Sequence, residues 1–203
     1  MQFDRAKLRA AILRTCRMTR PDNLGAVKLH KVLYYLDMRH FAQTGSGVTG
    51  ATYRKRPFGP TCQQLLPSVR EMAEEQLLEI RYVDFFGHRK TEYHALATEE
   101  PGLLNESEVA VLDEVIDFVC ERNSARSISE LSHQLPWEMV EFGEVIPYSS
   151  ALLLYPVEVT PEAFEAAEEG LGEVAAKRYN ADPMGFTNFS DFRSRIQSEI
   201  GQH

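Results

Sequence analysis

Apolar side chains recur at helical spacing in the first quarter of the chain and predict two helices. Leu8, Ile12 and Cys16 share one helical face between about residues 5 and 18, directly after Asp4, which is suited to an N-cap. A second, longer run follows the turn-forming residues "RPDN" and stops at "TGSG". The apolar positions of that run are Leu29, Val32, Leu33 and Leu36.

The pattern then changes from helix to strand and back. The segment "ATYRKR" (51–56) is short and β-prone and predicts a strand, after which Pro60 is suited to be the first residue of a third helix. Pro67 lies inside that helix, where we expect a break or kink after one turn. Residues 77–97 alternate with a two-residue period around "FFGH" and predict a β-hairpin.

Two capping signals predict the helices that follow. The sequence "NESE" at 105–108 is an asparagine variant of the capping box and opens an acidic helix. The sequence "SISE" at 127–130 is a second capping box, in which Ser127 is the N-cap of a short helix that Pro136 ends.

These elements predict a mainly α fold with a small β component (α+β), in which helix, strand, helix and hairpin follow one another as in a winged helix. Beyond residue 157 the sequence becomes rich in alanine and glutamate. We therefore expect one domain over 1–156 and a helical extension over 157–203, which is a candidate partner-recognition element. Its candidate contact residues are Phe186, Phe189 and Phe192.

Composition places the chain among intracellular globular proteins. At 203 residues and 43% hydrophobic content, one domain can bury enough apolar surface to fold without disulfides or a structural metal. Cys16, Cys62 and Cys120 lie far apart without CxxC spacing, so they are expected to be core residues in a reducing cytoplasm. The start of the sequence lacks the apolar core of a signal peptide, and no later run has the length of a membrane span.

The net charge of −8 is distributed unevenly along the chain. Residues 1–56 contain 12 Lys and Arg against 3 Asp and Glu, a net charge of +9, whereas residues 57–203 contain 10 against 27, a net charge of −17. This division permits a basic patch that attracts an acidic partner or a phosphate backbone. Alternatively, the two parts of the chain pair with each other.

No constellation of residues predicts catalysis or a cofactor. The chain has no GxGxxG, GxxxxGK[ST], HExxH or GxSxG motif. His30 and His40 do not share a helical face, and no cysteine or carboxylate pattern joins His88 and His94, so we expect no metal site. We predict that the protein is not an enzyme.

Cations and aromatic residues alternate in "KLHKVLYYLD" (28–37) and recur in "ATYRKR". Tyrosine and arginine are typical of protein hot spots, and the same mixture suits nucleic acid. In a structural alternative, Tyr34 and Tyr35 simply flank the core. The candidate partner-binding residues of this cluster are Lys28, Lys31, Tyr34, Tyr53, Arg54, Lys55 and Arg56.

The segment "LSHQLPW" (131–137) sets His133 four positions before Trp137, the only tryptophan. We expect a rigid knot in which the imidazole bonds a backbone carbonyl beneath the indole. A catalytic role for His133 is the alternative.

Four motifs in this order, "KLHKVLYYLD", "VTGATYRKRPFGP", "ISELSH" with Trp137, and "GEVIPYS", resemble the Panacea domain, also called SocA-like or phage-associated GepA-like, of bacterial and prophage antitoxins. The resemblance spans about residues 5–153. Pro67 and the tail depart from the family pattern. The residues that match it are Lys28, Leu29, Lys31, Leu33, Tyr34, Asp37, Thr49, Gly50, Tyr53, Gly59, Pro60, Leu131, Ser132, His133, Trp137, Ile146, Pro147 and Tyr148.

The resemblance implies a cytoplasmic antitoxin that neutralises a separately encoded toxin by direct protein–protein binding, with no catalysis. A toxin is then the expected partner, together with a protease or chaperone system if neutralisation works through turnover. A winged-helix-like regulator that binds DNA is the alternative function.

Overall fold

The computed structural model describes residues 1–85 and 87–154. Residues Met1–Leu152 form one compact unit. The predicted boundary at 156 and 157, the helical extension and the candidate contacts Phe186, Phe189 and Phe192 lie outside the described residues and stay predictions.

Six α-helices and four β-strands make up the described chain. The helices are α1 (Arg5–Met18), α2 (Ala26–Thr44), α3 (Leu65–Glu74), α4 (Glu106–Ile116), α5 (Ala125–Leu131) and α6 (Leu135–Glu138). A π-helical turn, Asp117–Glu121, extends α4, and a 3₁₀ helix spans Tyr148–Leu153. The strands are β1 (Tyr53–Arg54), β2 (Thr61–Cys62), β3 (Leu78–Phe85) and β4 (His88–Ala95). The predicted fold class, mainly α with a small β part, is confirmed.

Helix α2 is the central element, because α1, α4, α5 and β2 all pack against it. Leu29, Val32, Leu33 and Leu36 are completely buried, as their helical spacing predicts. Gly45 ends the helix in a left-handed conformation, in which its N–H donates to the carbonyl of Phe41 at 2.8 Å.

The two sheets are separate antiparallel pairs. In the first, Tyr53 of β1 faces Cys62 of β2, and Arg54 also bridges to Val145 from a segment far along the chain. The second is the predicted hairpin of β3 and β4, whose register runs from Leu78 opposite Ala95 to Phe85 opposite His88. Two residues connect these strands, a length typical of a tight hairpin.

Two helix starts confirm the capping predictions. The side chain of Asp4 accepts a hydrogen bond from the N–H of Lys7 at 3.0 Å and caps α1. Asn105 and Glu108 form the reciprocal capping box that "NESE" predicts for α4. Both signals act within one turn of chain, so sequence alone contains them.

Two predictions about proline are wrong. Pro60 does not start a helix but precedes β2, and α3 begins five residues later. Because of this later start, Pro67 falls in the first turn of α3, where backbone N–H groups have no partner within the helix, and α3 continues unbroken to Glu74.

The predicted cap of the fifth helix is also wrong. Ser124, not Ser127, is the N-cap of α5, and Ser127 is the third helical residue that completes the capping box. Helix α5 ends at Leu131, and Pro136 lies in the first turn of α6, where it is tolerated. Across residues 1–85 and 87–154, no helix has the length and apolar character needed to cross a membrane.

Candidate functional site

A buried carboxylate, Asp37, joins distant segments of the chain. Its side chain is 0% exposed and accepts from the backbone N–H of Thr49 at 2.6 Å and the Thr49 hydroxyl at 2.5 Å. The hydroxyls of Tyr53 and Tyr148 donate to the same carboxylate at 2.6 and 2.9 Å. Burial, reinforced by the Asp37 charge, raises the pKa of both phenols, which therefore stay protonated donors.

Gly50 allows the segment beside this cluster to pass close to the N-terminus. Its φ is +64°, and a β-carbon there would lie 2.2 Å from the carbonyl oxygen of Gln2. The N–H of Asp4 donates to the carbonyl of Thr49 at 2.8 Å, which fixes the approach. A glycine is therefore required on both conformational and steric grounds.

A second buried centre is formed by Lys31. Its Nζ donates to the backbone carbonyls of Phe58 and Pro60 at 2.6 and 2.9 Å, and the side chain is only 1% exposed. Among the described residues no carboxylate pairs with it, so burial lowers its pKa to about 7. Lys31 thus ties α2 to the turn before β2.

The turn that Lys31 holds also packs against α5. Gly59 has a φ of +90°, and a β-carbon there would lie 2.1 Å from the Ser132 hydroxyl oxygen and 2.7 Å from Nζ of Lys31. The Ser129 hydroxyl donates to the carbonyl of Phe58 at 3.0 Å. The space beside the lysine therefore fits only glycine.

His133 and Trp137 form the predicted knot. Their rings stack with centroids 4.1 Å apart and planes 21° from parallel. The backbone carbonyl of Pro57 interacts with the imidazole and favours its charged form, but burial outweighs it and lowers the pKa of His133. The indole Nε1 donates to the carbonyl of Arg56 at 3.1 Å, and Nζ of Lys55 lies 4.2 Å from the ring centroid.

The predicted partner-binding cluster requires a correction. The sequence predicts Lys28, Lys31, Tyr34 and Tyr53 at a surface, but each is 5% exposed or less. The two lysines donate to backbone carbonyls, and the two tyrosines pack in the core. Lys28 donates to Asn23 and to the carbonyl of Cys120. Within the predicted cluster, the cations that do reach the surface are Arg54, Lys55 and Arg56.

The remaining motif residues are also mostly buried. The buried ones include Leu29, Leu33, Thr49, Ser132 and Ile146. The hydroxyl of Tyr148 donates to the carboxylate of Asp37. Pro147 accepts a hydrogen bond from Ser150 at the start of the 3₁₀ helix. Leu131 is the exception at 44% exposure, so it does not belong to the core.

Charge pairing between the two parts of the chain engages half of the cations in residues 1–56. Six of the 12 cations in residues 1–56 form ion pairs with acids from the later part. Arg20 pairs locally with Asp22. The six cross-chain pairs are Arg5–Glu71, Lys7–Glu108, Arg9–Glu75, Arg14 with Glu99 and Asp113, Arg17–Glu99 and Arg39–Glu114.

Nucleophile and metal chemistry find no support in the described residues. The three cysteines are buried and unbonded, and burial raises the pKa of Cys16 and of Cys62 to about 12. Among residues 1–85 and 87–154, no group of three or more His, Cys, Asp or Glu side chains is arranged to hold a metal ion. His30 accepts from the backbone N–H of Cys62 at 3.1 Å.

Three surface residues beside the motif are not predicted from the sequence. Phe58, Phe142 and Val145 are exposed large apolar side chains next to Arg54, Lys55 and Arg56. The sequence contains "RPF" at 56–58, which is typical of a turn and does not indicate an exposed aromatic. No local pattern could associate it with residues 140–145.

The family model for SocA-like antitoxins with a Panacea domain matches residues 29–138, more than half of the chain. The chain belongs to this family. No curated protein and no solved structure matches the chain. The match includes both Lys31 and Asp37, whereas Tyr148 lies outside it, so the Panacea domain here is completed by a hydrogen bond from the segment that follows.

Proposed function

We propose that this Panacea protein is an antitoxin that neutralises a cognate toxin by direct protein–protein binding in the cytoplasm. The observation that carries the proposal is the match to the SocA-like antitoxin family over residues 29–138. The polar motif residues support a binding role, since Asp37 and Lys31 are buried and use their hydrogen bonds to hold segments together.

The same geometry argues for contact instead of catalysis. The side chains of the motif with catalytic potential already have structural roles, because His133 stacks on Trp137 and Lys31 holds two carbonyls. The buried thiols have raised pKa values and are therefore poor nucleophiles at neutral pH.

Co-expression tests this proposal. Each open reading frame next to the gene is expressed in bacteria with and without the chain, and growth is recorded. We expect one of them to arrest growth and the chain to restore it, and the two proteins to copurify. The proposal fails if no neighbour is toxic, or if a toxic neighbour is not relieved.

A His133→Ala variant separates binding from catalysis. Because His133 stacks on Trp137, we expect lower stability but full neutralisation at a temperature where the variant is folded. Loss of neutralisation by a folded variant, with the complex still forming, would instead indicate chemistry at the imidazole.

The DNA-binding alternative has weaker physical support. Seven of the 12 cations that motivated it form ion pairs, and α3, which precedes the hairpin, carries a single cation, Arg70. Such a helix offers a phosphate backbone little attraction. Binding to its own promoter in dilute buffer, weakening steeply with salt, would restore this alternative.

A further inference from the structure

Two segments that are distant in sequence form one surface beside the buried Lys31 centre. The N–H of Lys55 donates to the carbonyl of Glu144 at 3.0 Å, and the N–H of Gly143 donates back to the carbonyl of Lys55 at 3.1 Å. We call the side chains on and beside these paired segments the contact patch. It consists of Arg54, Lys55, Arg56, Phe58, Trp137 and Phe142.

The contact patch exposes large apolar groups. Phe58 is 69% exposed and Phe142 is 60% exposed, and Val145, which bridges to Arg54, is 45% exposed. Aromatic side chains at this exposure leave a considerable apolar area in water. Their close association with cations is typical of a protein-binding surface.

Its cations have no carboxylate partner among the described residues. Within the described residues, Arg54, Lys55 and Arg56 form no ion pair, in contrast to seven other cations of residues 1–56. They lie over aromatic rings or bond carbonyls: Lys55 over Trp137, Arg56 over Phe142, and Arg54 on the carbonyl of Gly143. Acidic groups of a partner can therefore approach them without displacing an internal acid.

The support beneath the contact patch is rigid. Lys31 and Ser129 both donate to the carbonyl of Phe58, and Trp137 donates to the carbonyl of Arg56. Nζ of Lys55 donates to the carbonyl of Val140 at 2.8 Å. Because the backbone is held before a partner arrives, binding loses little conformational entropy.

From these observations we propose that the contact patch is the docking site for a protein partner whose surface sets carboxylates around an apolar side chain. This inference rests on the proposed antitoxin function and names the surface and the partner chemistry for it. The apolar side chain packs against Phe58 and Phe142, and the carboxylates face Lys55 and Arg56.

A protein partner fits this surface better than a nucleic acid. Glu144 lies in the segment that pairs with Lys55, and its carboxylate caps its own turn by accepting from the N–H of Glu141 at 2.8 Å. A phosphate backbone tracking the cations would meet this negative charge, whereas a protein can place a few carboxylates away from it.

The single tryptophan lies in the contact patch and reports binding directly. The full chain is titrated with the synthetic peptide EEFEEFEE, with KKFKKFKK as the charge-reversed match, and with an oligothymidine, while Trp137 emission is recorded. We expect the glutamate peptide to change the emission and to bind about tenfold or more tightly than the lysine peptide. Equal binding of both peptides, no change of emission, or preferred binding of the oligothymidine would overturn the proposal.

A matched pair of variants locates the effect. In R56E/F142A the exposed cation and its aromatic neighbour are both changed, and about tenfold weaker binding of the glutamate peptide is expected. The control R89E/Y82A changes the same chemistry on the hairpin, where Arg89 lies 3.8 Å from the Tyr82 ring centroid. An equal loss in both variants, or a loss in the hairpin variant alone, would contradict the proposed surface.

The two proposals fail in different ways. If co-expression identifies a toxin, R56E/F142A should no longer neutralise it while R89E/Y82A does. Neutralisation by both variants, at equal abundance, would retain the antitoxin function and reject the contact patch. If no toxin is found, the antitoxin function fails, and the peptide titration still decides what the contact patch binds.

Discussion

Lys31 binds the carbonyls of the turn that follows Arg56, but the two side chains have opposite surroundings. Lys31 is 1% exposed and holds the carbonyls of Phe58 and Pro60, whereas Arg56 is exposed and lies over Phe142. The Panacea motif residues are mostly of the first kind. The comparison teaches that the recognisable part of the motif builds a support, which leaves the exposed residues beside it available for the partner contact that we propose.

The largest expected effect comes from the buried side of this comparison. In Asp37→Ala, donors from Thr49, Tyr53 and Tyr148 lose their shared acceptor inside the protein. We expect the free energy of unfolding to fall by about 4 kcal/mol, measured by urea denaturation. The control Asp22→Ala, at an exposed ion pair, should change it by less than about 1 kcal/mol. Similar losses in the two variants would contradict the distinction between the buried carboxylate of Asp37 and the exposed carboxylate of Asp22.

Gly50→Ala is expected to have the next largest effect. A methyl group at Gly50 meets the carbonyl oxygen of Gln2, and we expect a loss of about 3 kcal/mol in the free energy of unfolding. Gly45 is the matched control, since it too has positive φ, 77°, but a methyl group there would have no neighbouring atom within 4 Å. Gly45→Ala should cost only about 1 kcal/mol. Equal costs would show that conformation, not close approach, requires Gly50.

Lys31 predicts a pH dependence of stability. Burial lowers its pKa from 10.5 to about 7, so between these values the unfolded state binds more protons than the folded state, and stability rises with pH. The slope from this group is at most about 1.4 kcal/mol per pH unit. Urea denaturation of the wild type and of Lys31→Met, from pH 6.5 to 9, isolates it. We expect the wild-type curve to rise relative to the variant, and parallel curves would contradict the lowered pKa of Lys31.

The smallest expected effect belongs to the exposed side. Phe142→Ala removes a 60% exposed ring, so we expect the free energy of unfolding to change by less than about 0.5 kcal/mol. Thermal melting and urea denaturation measure it. A loss above about 2 kcal/mol would place Phe142 in the fold and not at an interface.

Features that act within one turn of chain are predictable from sequence. Asp4 and Asn105 form the expected caps, and the two-residue alternation around "FFGH" gives the hairpin, because each signal and its partner are near neighbours. The error at Pro67 concerns a helix boundary. The sequence pattern starts α3 too early, and a proline that the first turn tolerates then resembles a helix breaker.

The site depends on pairing that sequence does not contain. The sequence predicts Lys31 at the surface because lysine is rarely buried, and its partners are carbonyls, which every residue has. The contact patch requires residues 53–55 to pair with residues 143–146, which lie far along the chain. Without that pairing, Phe142 has no visible relation to Arg56.

Growth rescue by patch variants tests the central claim most directly. The toxin identified by co-expression is induced together with wild-type chain, R56E/F142A or R89E/Y82A, at matched abundance. We predict restored growth with the wild type and the hairpin variant, and continued arrest with R56E/F142A. Full rescue by R56E/F142A would contradict the claim, because the exposed surface beside the buried motif would then not be where neutralisation occurs.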